Sequence, residues 1–321
     1  MIIQQFTNNN IMNIKTSIFI ILLAFFVLPF QSCANRTRTV ENVANENSLL
    51  WRISGNGLAQ PSYLFGTHHL IPISFLDGIN GLSEAFERTE QVVGELDMRD
   101  MMELQMQMMQ HAMMPEGVTY ESLLSAEDVA LLDNKLTSLL GIGLEQLGGM
   151  KPAMLTTLIT LTFYQQHFPE TVEISIDEHF QQKALVRSRP VRALDTFESQ
   201  IYALFGVNSI ERQAELLMCM LRHPEMITET VQLLNEMYKA FDINGLYALS
   251  VEINTDSPCP NTDEEINAMT RNRHLRCIDQ LSSIIQEKPS FIAVGALHLP
   301  GEHGLIAGLR RAGFTVEAVI N

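Results

Sequence analysis

Two short stretches place a histidine three residues after a glycine at the end of an apolar run: "YLFGTHHLIP" at 63–72 and "FIAVGALHLPG" at 291–301. The first supplies Gly66 and His69, with His68 alongside, and the second supplies Gly295 and His298. The match continues downstream. "GLSEAFERTEQVV" at 81–93 lies over "GLIAGLRRAGFTV" at 304–316, so Leu82 answers Leu305, Phe86 Leu309, Arg88 Arg311 and Val93 Val316. Each copy reads as strand, G-x-x-H, loop, helix, strand. A glycine at a strand end lets the backbone turn, and a histidine beyond it can project over the sheet edge, where α/β sheets gather their binding sites. The copies part after the helix. The first strand ends "VVGELD" with Glu95; the second has Ala318 at that place and Glu317 one residue earlier, a shift that points the side chain to the opposite face. Two histidines, one carboxylate and an open position suit a catalytic divalent metal better than a closed structural site. The plainer alternative is that these histidines cap strand ends by hydrogen bonding. No HExxH occurs, which excludes the zincin arrangement.

The elements that must hold these residues can be read from period and punctuation. "LLWRISG" and "PSYLFG" around "NGLAQ" predict a hairpin, and 79–90 a helix leading into a strand "QVVGEL". From 120 to 250 apolar residues recur at helical spacing, opened by a capping-like Ser125 and interrupted by a short buried strand within "RPVRALDT" at 189–196. "NTDSPCPNTDEE" at 254–265 reads as an exposed loop, and one more amphipathic helix precedes the final strand, loop, helix and strand. The expected fold is α/β (α+β): a central mixed sheet from two strand–GxxH–helix–strand units at the chain ends, with a large helical middle segment. Two units packed side by side could bring His69 and His298 together. Residues 98–114 carry eight methionines, including Met98, Met101, Met102, Met106 and Met113. Thioethers are soft copper ligands, but their mixed spacing around the helix favours packing or the lining of a flexible groove.

A chain of 321 residues, 46% hydrophobic and 18% charged, is globular by composition, and its formal net charge of −16 argues against a general nucleic-acid partner. Lys15 followed by "SIFIILLAFFVLPF" at 17–30 reads as a secretory signal, short for a membrane span. "QSC" then puts a small residue before Cys33, a lipobox-like end to a 1–33 signal peptide, although Phe30 and Gln31 depart from the usual pattern; Met12 is an alternative start. Cleavage without lipidation, or an uncleaved anchor, are the other readings. Residues 34–48 form a polar tether and 49–321 the domain. The expected location is the bacterial cell envelope, with the protein held to the membrane through its N-terminal lipid. An exported chain can form disulfides; Cys219, Cys259 and Cys277 allow one bridge and a remaining thiol, with the pairing open.

Taken together, Gly66/His69, Gly295/His298 and Glu95 resemble the TraB/GumN family, which is related to the TIKI metalloproteases and to the erythromycin-esterase/ChaN-like fold group. "IDEHFQQKAL…RPVRALDTFESQ" is similar to the family's middle segment, with Asp177 and Leu194-Asp195-Thr196 in place; this chain has Asp where members usually carry Glu. "TRNRHL" supplies Arg271 and Asn272, the pair ahead of the last strand. The resemblance covers roughly 49–320. It implies a metal-dependent hydrolase, a peptidase above all, in which His69, His298 and Glu95 serve a divalent ion such as Mn, Co or Zn. Glu95 would ligate or act as general base, and Arg271 would stabilise an oxyanion, clamp a carboxylate terminus or serve as a structural ion-pair partner. His68 reads as a neighbour rather than a ligand. Asp177, His179, Asn272, Glu302 and His303 are supporting candidates, Glu302 and His303 being equally readable as simply exposed. The substrate would be a peptide or another small molecule. Two alternatives stand beside this one: a haem- or metal-binding lipoprotein, and a regulator that sequesters a peptide without cleaving it. Glu95 beside two histidines favours hydrolysis, and the methionine segment favours binding.

Overall fold

The computed structural model describes residues 46–170, 172–251, 257–265 and 271–320; the side chains of residues 250, 251 and 271–276 are outside that description. The signal segment with Cys33 and nearly all of the tether lie outside the described residues, as do the side chains of Arg271 and Asn272.

Six strands form one mixed sheet: β1 (Leu50–Ser54), β2 (Ser62–Thr67), β3 (Gln91–Gly94), β4 (Val191–Ala193), β5 (Ser290–Gly295) and β6 (Thr315–Ala318), in the order β4-β3-β5-β2-β1-β6. The expected hairpin is present, with β1 and β2 antiparallel and Ile53 opposite Ser62. β2, β5, β3 and β4 run parallel to one another. The two units do not stand side by side; they interlock. β5 of the second unit lies between β2 and β3 of the first, and β6 travels to the far edge, where Glu317 pairs with exposed Arg52. The motif glycines are one step out of register, with Thr67 opposite Gly295 and Gly66 opposite Val294.

Covered parallel strands read as continuous apolar runs because both faces are buried, and β2 and β5 follow that rule from Tyr63 to Phe65 and from Phe291 to Val294. The Ile176–Val186 helix lies on this sheet, its Phe180 ring 4.5 Å from Phe291 and 5.7 Å from Phe65. Ser175 caps the helix by accepting from the Glu178 N–H, which sets Asp177 in the first turn. A second core unites the helices of the middle segment, among them Pro152–His167, Ile210–Arg222 and Pro224–Lys239.

Two expectations need correction. The "RPVRALDT" strand is an edge strand in which Val191 is buried and Arg192 exposed, because among the described residues β4 pairs only with β3. The described part of the 254–265 loop is tied down: Cys219 and Cys259 form a disulfide, and Arg212 holds buried Glu265 at 2.9 Å. Along the methionine segment, Met98 and Met108 are buried, whereas Met102, Met106 and Met113 are exposed. No helix of the described residues is long and apolar enough to cross a membrane.

Candidate active site

Four parallel strands end along one edge, and each is followed closely by an ionisable side chain. In sheet order these are Asp195 after β4, Glu95 after β3, His298 after β5 and His69 after β2. The placement follows from topology, since parallel strands deliver their carboxyl ends to a common side.

His298 and Glu95 meet. Nε2 of His298 lies 3.2 Å from Oε1 of Glu95, in a largely buried setting. The same carboxylate oxygen accepts the Gly295 N–H at 2.9 Å, so the glycine of the second motif binds the carboxylate of the first unit. A Cβ on Gly295 would stand 3.3 Å from that oxygen and 3.5 Å from the His298 ring, and its absence leaves a cradle between them. Gly66 works in the other direction: its missing Cβ makes room for Ala296 and Leu299 of the second motif, and its carbonyl accepts from the buried Tyr238 hydroxyl. Gln181 closes the turn that carries Glu95, donating to the Leu96 carbonyl and accepting from the Met98 N–H.

His69 forms a second carboxylate–histidine pair. Its Nδ1 stands 2.8 Å from Oδ2 of Asp177, whose other oxygen accepts from the Thr67 hydroxyl. The contact is an ion pair, not an in-line hydrogen bond, and both atoms are buried without a well-directed partner. Burial opposes charging the ring. The charge and contact of the Asp177 carboxylate, together with the charge of Glu95, outweigh it, and the His69 pKa is raised above the ordinary 6.5. A raised folded-state pKa gives stability that is complete below the unfolded value near 6.5 and is lost as pH rises through the folded one. Asp177→Asn is therefore expected to flatten the fall in melting temperature that wild type shows as pH rises above about 6.5. Equal slopes in the two proteins would rule out this pairing.

His68 is separate. Its ring packs 5.1 Å from Tyr238 and 5.9 Å from Tyr164, and its Nδ1 accepts the Leu70 N–H. The residue keeps a little surface, yet protein surrounds the ring. Burial first, then the charges of His69 and Lys239, push its pKa down to about 3. It is thus neutral at neutral pH and shapes the turn. His179 packs on Phe180. The carbonyl of Glu302 holds Arg311, leaving the 301–304 loop braced to the last helix.

Beside His298 and Glu95 a small pocket is walled by Leu194, Val294, Leu305 and Cys277, and Asp195 also lines it. Cys277 is outside the disulfide, and its side chain borders the site region. Among the described residues, no three His, Cys, Asp or Glu side chains stand close enough, as arranged, to enclose a metal ion. The three expected ligands are therefore split: Glu95 and His298 are together, and His69 is committed to Asp177. The pair itself fits a divalent ion, because donors bound to one ion at about 2.1 Å stand roughly 3.0–3.4 Å apart. The Gly295 cradle leaves room on that side. Gln181, Gln200 and Thr67 escaped the sequence reading, since nothing in their local spacing marks them.

Fold and site together define a mixed α/β protein with two carboxylate–histidine pairs at the carboxyl edge of a parallel sheet. The TraB/PrgY/gumN family model matches residues 49–318, and the chain belongs to that family. It is 26% identical over 318 residues to "Metalloprotease TIKI2" of Danio rerio, an alignment covering 84% of this chain and 61% of the relative. The chain thus spans about three-fifths of the length of that curated relative. No solved structure matches it.

Proposed function

We propose that the chain is a metal-dependent hydrolase of peptide bonds, exported and held to the bacterial envelope by a lipid on Cys33. The observation that carries the reading is the buried His298–Glu95 contact, with the His69–Asp177 pair on the neighbouring strand. The likeness to a metalloprotease supports the class of chemistry. The Cys219–Cys259 disulfide supports export, because such bonds persist in oxidising compartments.

His298 and Glu95 would hold a Mn, Co or Zn ion, with His69 in its neutral form as a further ligand. The ion would lower the pKa of a bound water and polarise the scissile carbonyl. The protein's own part is to keep Glu95 aimed: its Oε1 faces His298 while the Gly295 N–H holds it, in place to ligate the ion or, instead, to take a proton from water. Asp177 keeps the His69 ring oriented, an outer partner of the sort that fixes metal-binding histidines. Binding of the ion would release a proton and weaken as pH falls.

Cleavage of a quenched-fluorescent peptide library, with Mn, Co or Zn added in turn, tests this. Wild type is expected to cut with at least one metal and His298→Ala to lose cutting with all of them. Identical product profiles for the two proteins would remove the proposal. A second reading, a regulator that sequesters an apolar peptide, draws on exposed Met102 and Met106. Peptide binding without cleavage in wild type would select it.

A further inference from the structure

Gln200 belongs to the Phe197–Phe205 helix, which Thr196 caps by accepting from the Ser199 N–H. Its amide nitrogen stands 3.2 Å from Oε2 of Glu95 and 3.4 Å from Oδ2 of Asp195. One NH2 group carries two donors and can serve two carboxylates at once. The two acidic residues cannot drift apart, because the Asp195 N–H is bonded to the Glu95 carbonyl at 2.9 Å, in continuation of the β3–β4 ladder. Two carboxylates fixed this closely repel each other unless something between them donates.

We infer that Gln200 is a positioning residue for Glu95. By bonding Oε2 it leaves Oε1 to Gly295 and His298, and by bonding Asp195 it keeps the second carboxylate from displacing the first. The consequence for turnover rests on the hydrolase reading; the arrangement itself does not. Asp195 is the carboxylate held off, and its removal should make Gln200 dispensable.

The test uses Gln200→Met, which keeps the side-chain length and removes the donors, and the double variant Asp195→Asn/Gln200→Met. The Gly295 amide resonance in a two-dimensional NMR spectrum reports the bond to Glu95. It is expected to move in Gln200→Met and to return toward its wild-type position in the double variant. Metal-dependent peptide cleavage, where wild type shows it, is expected to fall about 10–100-fold in the single variant, as for other outer partners of catalytic ligands, and to recover most of that loss in the double. If Gln200→Met fails to fold, Gln200→Glu, which keeps polarity but cannot donate when ionised, takes its place. An unmoved Gly295 resonance, or an equal change in single and double variants, overturns the inference. Absence of cleavage in wild type bears on the hydrolase reading alone, because the resonance still decides the role of Gln200.

Discussion

Glu95→Gln is expected to lower peptide cleavage by about 10²–10⁴-fold, the range associated with loss of a positioned general acid or base, with a far smaller effect on melting temperature. The substitution is nearly isosteric. The carbonyl of the introduced amide can still accept the Gly295 N–H, so the β3–β5 contact survives; its NH2 then stands where Oε2 was, and Gln200 must turn its own amide over to accept there, giving up its bond to Asp195. What disappears is the negative charge 3.2 Å from His298, and with it the proton acceptor aimed into the Gly295 cradle. The change also withdraws one of the charges that raise the His69 pKa, so that ring should titrate lower in the variant. Cleavage rates measured for wild type and variant at matched metal concentration decide the matter. A variant retaining wild-type rates would take Glu95 out of the chemistry and leave it a structural clasp.

Gly66→Ala should do its damage through packing. Its Cβ would stand 3.0 Å from the Ala296 Cα, main chain that has no rotamer to yield, and 3.1 Å from the Leu299 side chain. Overpacking of a well-filled core costs about 1–3 kcal/mol, and the yielding atoms here belong to the turn that carries His298. Denaturant unfolding should therefore show a lower midpoint, and cleavage should fall along with it. Gly295→Ala makes the useful contrast, since its Cβ would press on the Glu95 oxygen at 3.3 Å and barely on main chain. That variant should keep more stability while losing activity. A Gly66→Ala protein as stable as wild type would mean that β2 and the 296–298 turn are less closely fitted than these distances state.

The parts of this site that could be read from the chain are those with a local signal. A glycine, two residues and a histidine at the end of an apolar run form a pattern seven or eight residues wide, and its second copy gave it meaning. Glu95 could be found for the same reason, because the two units differ there. The pairing of His69 with Asp177 and the clasp of Gln200 on Glu95 join residues more than a hundred positions apart, and no periodicity records such contacts. The strand order has the same cause. A hairpin shows itself through its turn, and β1–β2 was legible, whereas parallel neighbours such as β2 and β5 are joined by chain that passes through the whole helical segment. Alignment by motif set Gly66 against Gly295; the sheet pairs Gly66 with Val294, since register is governed by the packed faces and not by kinship of the copies. Cysteine count allowed one bridge, but only the fold chose Cys219 and Cys259 over Cys277.

The insertion of β5 between β2 and β3 has a consequence in time. A ribosome delivers β2 and β3 long before Ser290–Gly295 exists, and until then the two have no common neighbour to hold them in one sheet. Pairings this distant along the chain are slow to form, because the loop must be closed before the contact rewards it. His298 arrives with the same late strand, so the His298–Glu95 pair and the centre of the sheet are completed in a single event. A nascent chain, or one halted short of its final strands, would carry Glu95 without its histidine partner for as long as it remained unfinished.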